Sequence, residues 1–211
     1  MTAAGGAPAA APPAHRRALP GRLVWVVAVA VAGIVVVLDQ ATKQLAVWLL
    51  ADGPVQLWGP FSLVLVTNPN AAFGIPGFPG MFVLITVVVL AVVTVLLTRT
   101  DRLSLALAYG LVAGGALGNG VDRVTRDPTH PPAEPFAFDL DTLVAWLPQG
   151  EVVDFLSVGW WPVFNVADSG ITVGAALIVV LMLLVDREEQ RRRRRAREHE
   201  SVRPETATPR R

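Results

Sequence analysis

The stretch Leu23-Val-Trp-Val-Val-Ala-Val-Ala-Val-Ala-Gly-Ile-Val-Val-Val-Leu38, followed at once by Asp39, decides the fold. No charge interrupts it, and a helical pattern continues past Asp39 to Leu50, which makes the segment long enough to cross a bilayer. Arg16, Arg17 and Arg22 precede it, as basic residues precede a secretory signal peptide. The apolar run outlasts a usual signal core, however, and no small-x-small cleavage site follows. A retained membrane helix is therefore the favoured reading.

Three further apolar runs lie outward from this one: Phe82–Thr98, Leu103–Leu117 and Ile171–Val185. Each is near the lower end of the roughly 17–25 residues that span a membrane, and flanking residues extend each of them. The chain has 211 residues, 53% of them hydrophobic, which is too apolar for an ordinary soluble domain and suits one compact bundle. With no cysteine, disulfides, thiolate metal sites and cysteine nucleophiles are excluded. His15, His130 and His199 sit far apart in polar or proline-rich stretches, so neither a histidine metal cluster nor a bound cofactor is expected.

The net charge of +1 hides an asymmetry. Of 18 basic residues, only Lys43, Arg123 and Arg126 do not fall on one side of the bundle. The positive-inside rule then puts both termini in the cytoplasm and the two long loops, about 51–80 and 119–168, outside. Trp48, Trp58, Trp146, Trp160 and Trp161 belong to that outer side and suit an aromatic belt at headgroup level. Three regions are expected: a disordered cytoplasmic arm over 1–22, a four-helix domain over 23–185, and an arginine-rich cytoplasmic tail over 186–211. The block Arg191–Arg195 directly follows a membrane helix, which favours an anchor against anionic lipid over nucleic-acid binding.

The fold class expected is thus an all-α membrane protein with four transmembrane helices and a small extracytoplasmic hairpin or sheet on its outer surface. The hairpin is read from Val55–Leu57, the turn Trp58-Gly-Pro, and Phe61–Thr67, where β-branched and aromatic residues flank a Gly-Pro turn. The proline-rich stretch 126–150 is expected to be an irregular loop with a short helix at Leu140–Leu147.

Several polar residues stand at the outer ends of the apolar runs. Asp39 and Lys43 are four apart on one helix face, and Asp39 lies about 24 Å along the helix from Leu23 at ~1.5 Å per residue. At membrane depth such residues are either paired structurally or functional, and both readings stay open. Asn68 and Asn70 precede Ala71-Ala72-Phe73-Gly74, where a tight turn is the local reading. Helix three ends in Gly114-Gly115-Ala116-Leu117-Gly118-Asn119-Gly120-Val121-Asp122-Arg123. Its small residues permit close helix approach, and Asp122 beside Arg123 reads locally as a surface ion pair. Asp168, opening helix four, suits an N-cap. Asp154, between Val152-Val153 and Phe155, is a carboxylate in an apolar setting and needs a partner. Two carboxylates brought together repel when both are ionised, so one keeps a proton, and the pair can act as acid and base without a metal.

Five motifs in order resemble those of the lipoprotein signal peptidases: Asp39-Gln40-Ala41-Thr42-Lys43, Asn68-Pro69-Asn70-Ala71-Ala72-Phe73-Gly74, Gly118-Asn119-Gly120-Val121-Asp122-Arg123, Val152-Val153-Asp154-Phe155 and Phe164-Asn165-Val166-Ala167-Asp168. The resemblance covers about residues 23–185. It implies a catalytic dyad of Asp154 and Asp168. It implies supporting or substrate-binding roles for Asp39, Lys43, Asn68, Asn119, Asp122, Arg123 and Asn165. It further implies cleavage of diacylglyceryl-modified prolipoproteins just before the lipidated cysteine, inhibition by globomycin, and a site at the outer membrane interface. Neither a metal nor a nucleic-acid partner is expected, and a monomer is. Two departures are visible. Asn70 stands where glycine is usual, and the stretch between Arg123 and Val152 is longer than the family pattern.

Two rival readings remain. A serine–lysine peptidase would use Lys43, the single lysine, with Ser157 or Ser169, but neither serine lies in a recognisable nucleophile turn. A small transporter would draw on Glu134, Asp139, Asp141 and Glu151, but the two helix pairs show no repeat.

Overall fold

A computed structural model describes residues 21–69, 81–126 and 150–201. The elements run α1 (Gly21–Leu49), β1 (Val55–Trp58), β2 (Phe61–Asn68), α2 (Met81–Thr98), α3 (Leu103–Thr125), β3 (Val152–Val158), β4 (Trp161–Phe164) and α4 (Val166–Ser201). All four helices are long and apolar enough to cross a membrane. The chain is a multi-pass membrane protein with a small antiparallel sheet, the class expected from its apolar runs. The short helix expected at Leu140–Leu147, the motif residues Asn70–Gly74, and His130 lie outside the described residues.

The third helix occupies the middle. It buries twelve of its residues, eight of them glycine or alanine, whereas α2 buries only Val93 and Leu97 and leaves most of its surface apolar and exposed. That division follows from composition. The branched side chains of α2 suit lipid, while the small residues of α3 let α1 and α4 come close on either side. A methyl group at Gly115 would collide with the carbonyl of Ala167, and one at Gly118 would sit 2.7 Å from Asp39 Oδ2. These two glycines therefore bring the N-terminus of α4 and the polar turn of α1 against the end of α3. At the opposite end Val24, Ala28, Val93, Leu97, Ala106 and Tyr109 pack as an apolar core.

The sheet has the order β1-β2-β3-β4. Its first hairpin turns at Gly59-Pro60, as the sequence suggested. The second, β3–β4, turns at Gly159-Trp160 and was not anticipated. The two turns are joined by Gly159 N–H donating to Pro60 O at 2.9 Å. Strand β2 pairs with β3 along Val66↔Asp154, Thr67↔Val153 and Asn68↔Val152, which brings Asn68 and Asp154 to the same end of the sheet. Phe155 packs on Ala46 and Leu50 at the end of α1, so the sheet is fixed to the helical bundle close to the polar turn.

Two helices exceed their expected bounds. Helix α3 continues beyond Leu117 through the polar segment to Thr125, carrying Asn119, Asp122 and Arg123 on helical geometry. Helix α4 starts at Val166, five residues before the apolar run, and continues to Ser201, so Arg187–Arg197 form its exposed extension.

Candidate active site

The approach of α4 to the sheet begins with a cap. Asn165 Oδ1 accepts the N–H of Asp168 at 2.9 Å, and Asp168 Oδ2 accepts the N–H of Asn165 at 3.2 Å. This is a reciprocal capping box, with Asn165 as the N-cap and Asp168 three residues on. The expectation that Asp168 itself caps the helix is thereby corrected. Either residue type caps well, and the carboxylate of Asp168 reaches back to the cap's backbone while its other oxygen stays available.

That other oxygen, Asp168 Oδ1, accepts a bond from Asn119 Nδ2 at 2.8 Å. Asp154 receives two side-chain amides, Asn165 Nδ2 on Oδ1 at 2.7 Å and Asn68 Nδ2 on Oδ2 at 3.3 Å. The capping residue thus touches both aspartates, one through its backbone and the other through its side chain. Asp154 is 3% exposed, whereas Asp168 is only half-buried. Burial, and after it the neighbouring Asp168 carboxylate, push the Asp154 carboxyl up to about 6; the bonds from Asn68 and Asn165 and the charge of Lys43 act the other way. The arrangement holds two carboxyl groups in unlike surroundings, one of which keeps a proton more readily than an ordinary aspartate.

Behind this pair lies a cluster of buried charge. Asp39, Lys43 and Asp122 are each 0% exposed. Lys43 Nζ lies 2.8 Å from Asp39 Oδ2, 2.8 Å from Asp122 Oδ2 and 2.9 Å from Asn119 Oδ1. An ammonium has three protons, and these three acceptors use them all. Because Lys43 only donates, Asn119 must turn its oxygen toward it and its N–H2 toward Asp168. Lys43 is therefore a structural donor held by Asp39, Asp122 and Asn119, not a base placed against Ser157 or Ser169. Asp122 also lies 3.0 Å from Arg126 Nε.

The reading of Asp122 and Arg123 as a surface ion pair is overturned, since both are buried and they face different partners. Arg123 Nη1 donates to Pro69 O at 3.0 Å and Gly150 O at 3.1 Å, and its guanidinium stacks 4.1 Å from the centroid of Phe82. It binds the chain just after β2 and just before β3. The structure thus brings eight of the nine candidates, Asp39, Lys43, Asn68, Asn119, Asp122, Asp154, Asn165 and Asp168, into one bonded network, with Arg123 beside it. Sequence reasoning missed Gln40 and Arg126. A glutamine inside an apolar helix and a cation four residues after Asp122 were the available signals. Among the described residues, no group of three or more His, Asp or Glu is arranged to hold a metal ion.

Residues 31–184 match the family model of signal peptidase II, family A8, with these aspartates inside the matched segment. The chain belongs to the signal peptidase II family of aspartic-type peptidases. The lipoprotein signal peptidase of Rhodococcus jostii is 48% identical over 153 residues, which cover 70% of this chain and 68% of that one. The lipoprotein signal peptidase of Mycobacterium tuberculosis H37Rv is 40% identical over 162 residues, covering 75% and 71%. A bacterial membrane enzyme solved by the in meso method at 2.3 Å superposes with a TM-score of 0.57 at 28% identity, covering 74% of this chain and 87% of that one. A second such structure, solved at 1.9 Å, gives 0.55 at 27% identity, covering 74% and 92%. Membership in the signal peptidase II family covers the four helices and the sheet together.

Proposed function

We propose that this lipoprotein signal peptidase is a membrane aspartic endopeptidase that removes the signal peptide from diacylglyceryl-modified prolipoproteins, cutting just before the lipidated cysteine, with Asp154 and Asp168 as its catalytic dyad. The observation that carries the reading is the meeting of a buried and a half-buried carboxyl group on the two sides of Asn165. The charged member takes a proton from water, and the resulting hydroxide attacks the scissile carbonyl carbon. The protonated member donates to the carbonyl oxygen. As the C–N bond breaks, the member that took the water proton gives it to the departing amine, and the other takes a hydroxyl proton as the carbonyl re-forms, so the dyad ends with one proton as it began. Asn68, Asn119 and Asn165 orient the carboxyl groups. Asp39, Lys43, Asp122 and Arg123 support the frame. Turnover of a diacylated prolipoprotein by the purified chain in detergent tests the reading; an inactive, folded wild-type enzyme would refute it.

The lipid anchor of the substrate is part of the same proposal. The sheet and the capped end of α4 carry exposed Trp58, Trp160 and Trp161 beside the end of α1, where Trp48 is also exposed, a composition suited to a membrane surface. Binding energy from acyl chains in the bilayer then positions the scissile bond. A substrate lacking the diacylglyceryl group should be cleaved about 100-fold more slowly. That loss, about 3 kcal/mol, corresponds to only about four buried methylenes at ~0.8 kcal/mol each. Equal kcat/KM for lipidated and unlipidated substrates would remove this part of the reading. Membrane lipid and globomycin-type inhibitors are the further partners, nucleic acid is not one, and the enzyme acts as a monomer.

The basic asymmetry supports an orientation with both termini cytoplasmic and the dyad at the outer interface. The division into an N-terminal arm, a peptidase domain and an arginine-rich tail belongs to the same reading, with Gly21 and Arg22 already in α1. Single cysteines at Asp52 and His130 should react with an impermeant reagent added outside intact cells, while the tail stays protected. The reverse labelling pattern would invert the topology.

A further inference from the structure

The two buried aspartates behind the site have matching second contacts. Asp39 Oδ1 accepts the backbone N–H of Ala167 at 2.9 Å, and Ala167 immediately precedes Asp168. Asp122 Oδ2 accepts the backbone N–H of Val153 at 3.2 Å, and Val153 immediately precedes Asp154. Neither donor has a regular partner of its own. Ala167 lies in the first turn of α4, where backbone N–H groups lack intrahelical acceptors. Strand β2 pairs with one edge of β3, at Thr67↔Val153, and β4 pairs with the other edge only at Leu156 and Val158, so that second edge at Val153 faces the Asp122 side chain instead of a strand.

The same two aspartates are tied to each other. Lys43 Nζ bridges them at 2.8 Å and 2.8 Å. Gln40 Nε2 spans them as well, at 3.2 Å to Asp39 Oδ2 and 2.9 Å to Asp122 Oδ1, and also reaches Gly118 O at 3.1 Å. Among the described residues Gln40 is held by its N–H2 alone, for its buried Oε1 meets no donor there. With Arg126 beside Asp122, two carboxylates face two cations, so the cluster is neutral as a whole.

We propose, resting on the dyad reading above, that Asp39, Gln40, Lys43 and Asp122 form a yoke that sets the separation of Asp154 and Asp168 by holding the backbone residue before each of them. Its role differs from that of a bond to the catalytic side chains. Each arm ends on a main-chain N–H, charge-assisted and buried, so it fixes where the aspartate's Cα sits and leaves the carboxyl group free for chemistry. Lys43 and Gln40 join the arms, which makes the distance between them one quantity. Gln40 is the member that neither charge nor helix periodicity singles out in the sequence. These four are positioning residues; none touches Asp154 or Asp168 directly.

A staple that only holds α1 to α3 would use the same bonds, and kinetics separates the two. In a yoke, breaking one arm or the crosspiece lets the carboxyl groups drift, and a misplacement near 1 Å costs about 100-fold in rate. The loss falls on kcat, because substrate binding does not depend on dyad spacing. The experiment measures kcat, KM and the unfolding temperature for Gln40→Met, Asp39→Leu, Asp122→Leu and the double variant Asp39→Leu/Asp122→Leu, in which no acceptor is left for the backbone N–H, with a diacylated prolipoprotein as substrate. Each single substitution should lower kcat by roughly 10–100-fold with KM within about twofold. The double variant should be no worse than the poorer single, since one broken arm already frees the spacing. Losses that multiply in the double variant would overturn the proposal, as would a folded Gln40→Met enzyme with wild-type kcat. Gln40→Met removes one of the two crosspieces, leaving the Lys43 bridge in place, and strands no charge, so it tests the yoke even if the aspartate variants do not fold. Activity surviving in Asp154→Asn or Asp168→Asn would instead remove the dyad itself, a separate result.

Discussion

Asp154→Asn and Asp168→Asn should each abolish prolipoprotein cleavage while leaving the enzyme folded. Each change removes one titrating group and keeps nearly the same shape. At position 168 an asparagine oxygen can still accept the Asn165 N–H across the capping box, so the start of α4 survives. At position 154 an asparagine oxygen can still accept from Asn165 or Asn68. What is lost is the shared proton, because an amide neither takes a proton from water nor donates one to a carbonyl oxygen. General acid–base catalysis by one group is worth about 10²–10⁴-fold, and here both halves of it fail together, so turnover should fall by at least that factor. Asp154→Asn carries a second signature. The folded-state carboxyl titrates at about 6 against an ordinary value of 3.8. A raised value means that folding favours the protonated form. The stability associated with that proton is present below about pH 4 and is lost as pH rises through about 6. Relative to wild type, the Asn variant should therefore gain stability between pH 4 and pH 7, by an amount on the order of 2–3 kcal/mol. Thermal unfolding in detergent across that range checks it. Near-wild-type cleavage by either variant would end the dyad assignment, and a stability difference independent of pH would remove the raised titration of Asp154.

Much of this architecture is legible in the sequence because membrane helices declare themselves by uninterrupted apolar length, and four such runs were present. The first hairpin was legible because Gly59-Pro60 punctuates it. The second was not. Val152–Val158 is a short apolar run around one aspartate, and short apolar runs do not distinguish strand from helix. Its turn, Gly159-Trp160, carries no proline or asparagine to mark it. The cap of α4 was misassigned for a related reason. Asn165 and Asp168 are both strong capping residues three apart, and only the backbone at Asn165 reveals which of them stands outside the helix. Asp122 was paired with Arg123 because they are adjacent, yet neighbours in a helix point about 100° apart; the residue on the same face is four further on, Arg126. Gln40 stands out only as a polar residue in an apolar helix, because what it does lies in contacts with Gly118 and Asp122, 78 and 82 residues away. Motif resemblance implied the dyad of Asp154 and Asp168 and the residues around it; the geometry adds which amides face the two aspartates and which charged groups stand behind them.

Replacing Lys43 by methionine should destabilise the protein by about 3–5 kcal/mol, the cost typical of breaking a buried pair by removing one partner. Methionine fills similar volume and suits an apolar helix, so the effect isolates the ammonium. Asp39 and Asp122 are both fully buried. Without Lys43, Arg126 still lies beside Asp122, but Asp39 keeps only the Ala167 N–H and the Gln40 amide. One carboxylate is then left without a cation inside the bundle. Against a total stability of about 5–15 kcal/mol that is a large fraction, visible as a fall of many degrees in the unfolding temperature. Lys43→Arg keeps the charge and presents a fork able to span two carboxylates, so it should stay folded and retain part of the activity. Adding Asp39→Asn to Lys43→Met removes the stranded charge and should recover some of the lost stability, which a role confined to packing would not produce. The same series tests the serine–lysine alternative, since a lysine acting as general base is not replaced by arginine and would leave an acyl-enzyme on serine. Unfolding temperatures for Lys43→Met, Lys43→Arg and Lys43→Met/Asp39→Asn, measured beside turnover, check the argument. An unaltered unfolding temperature in Lys43→Met would show that the buried carboxylates do not depend on the ammonium, and with that the charged frame behind the site would lose its central member.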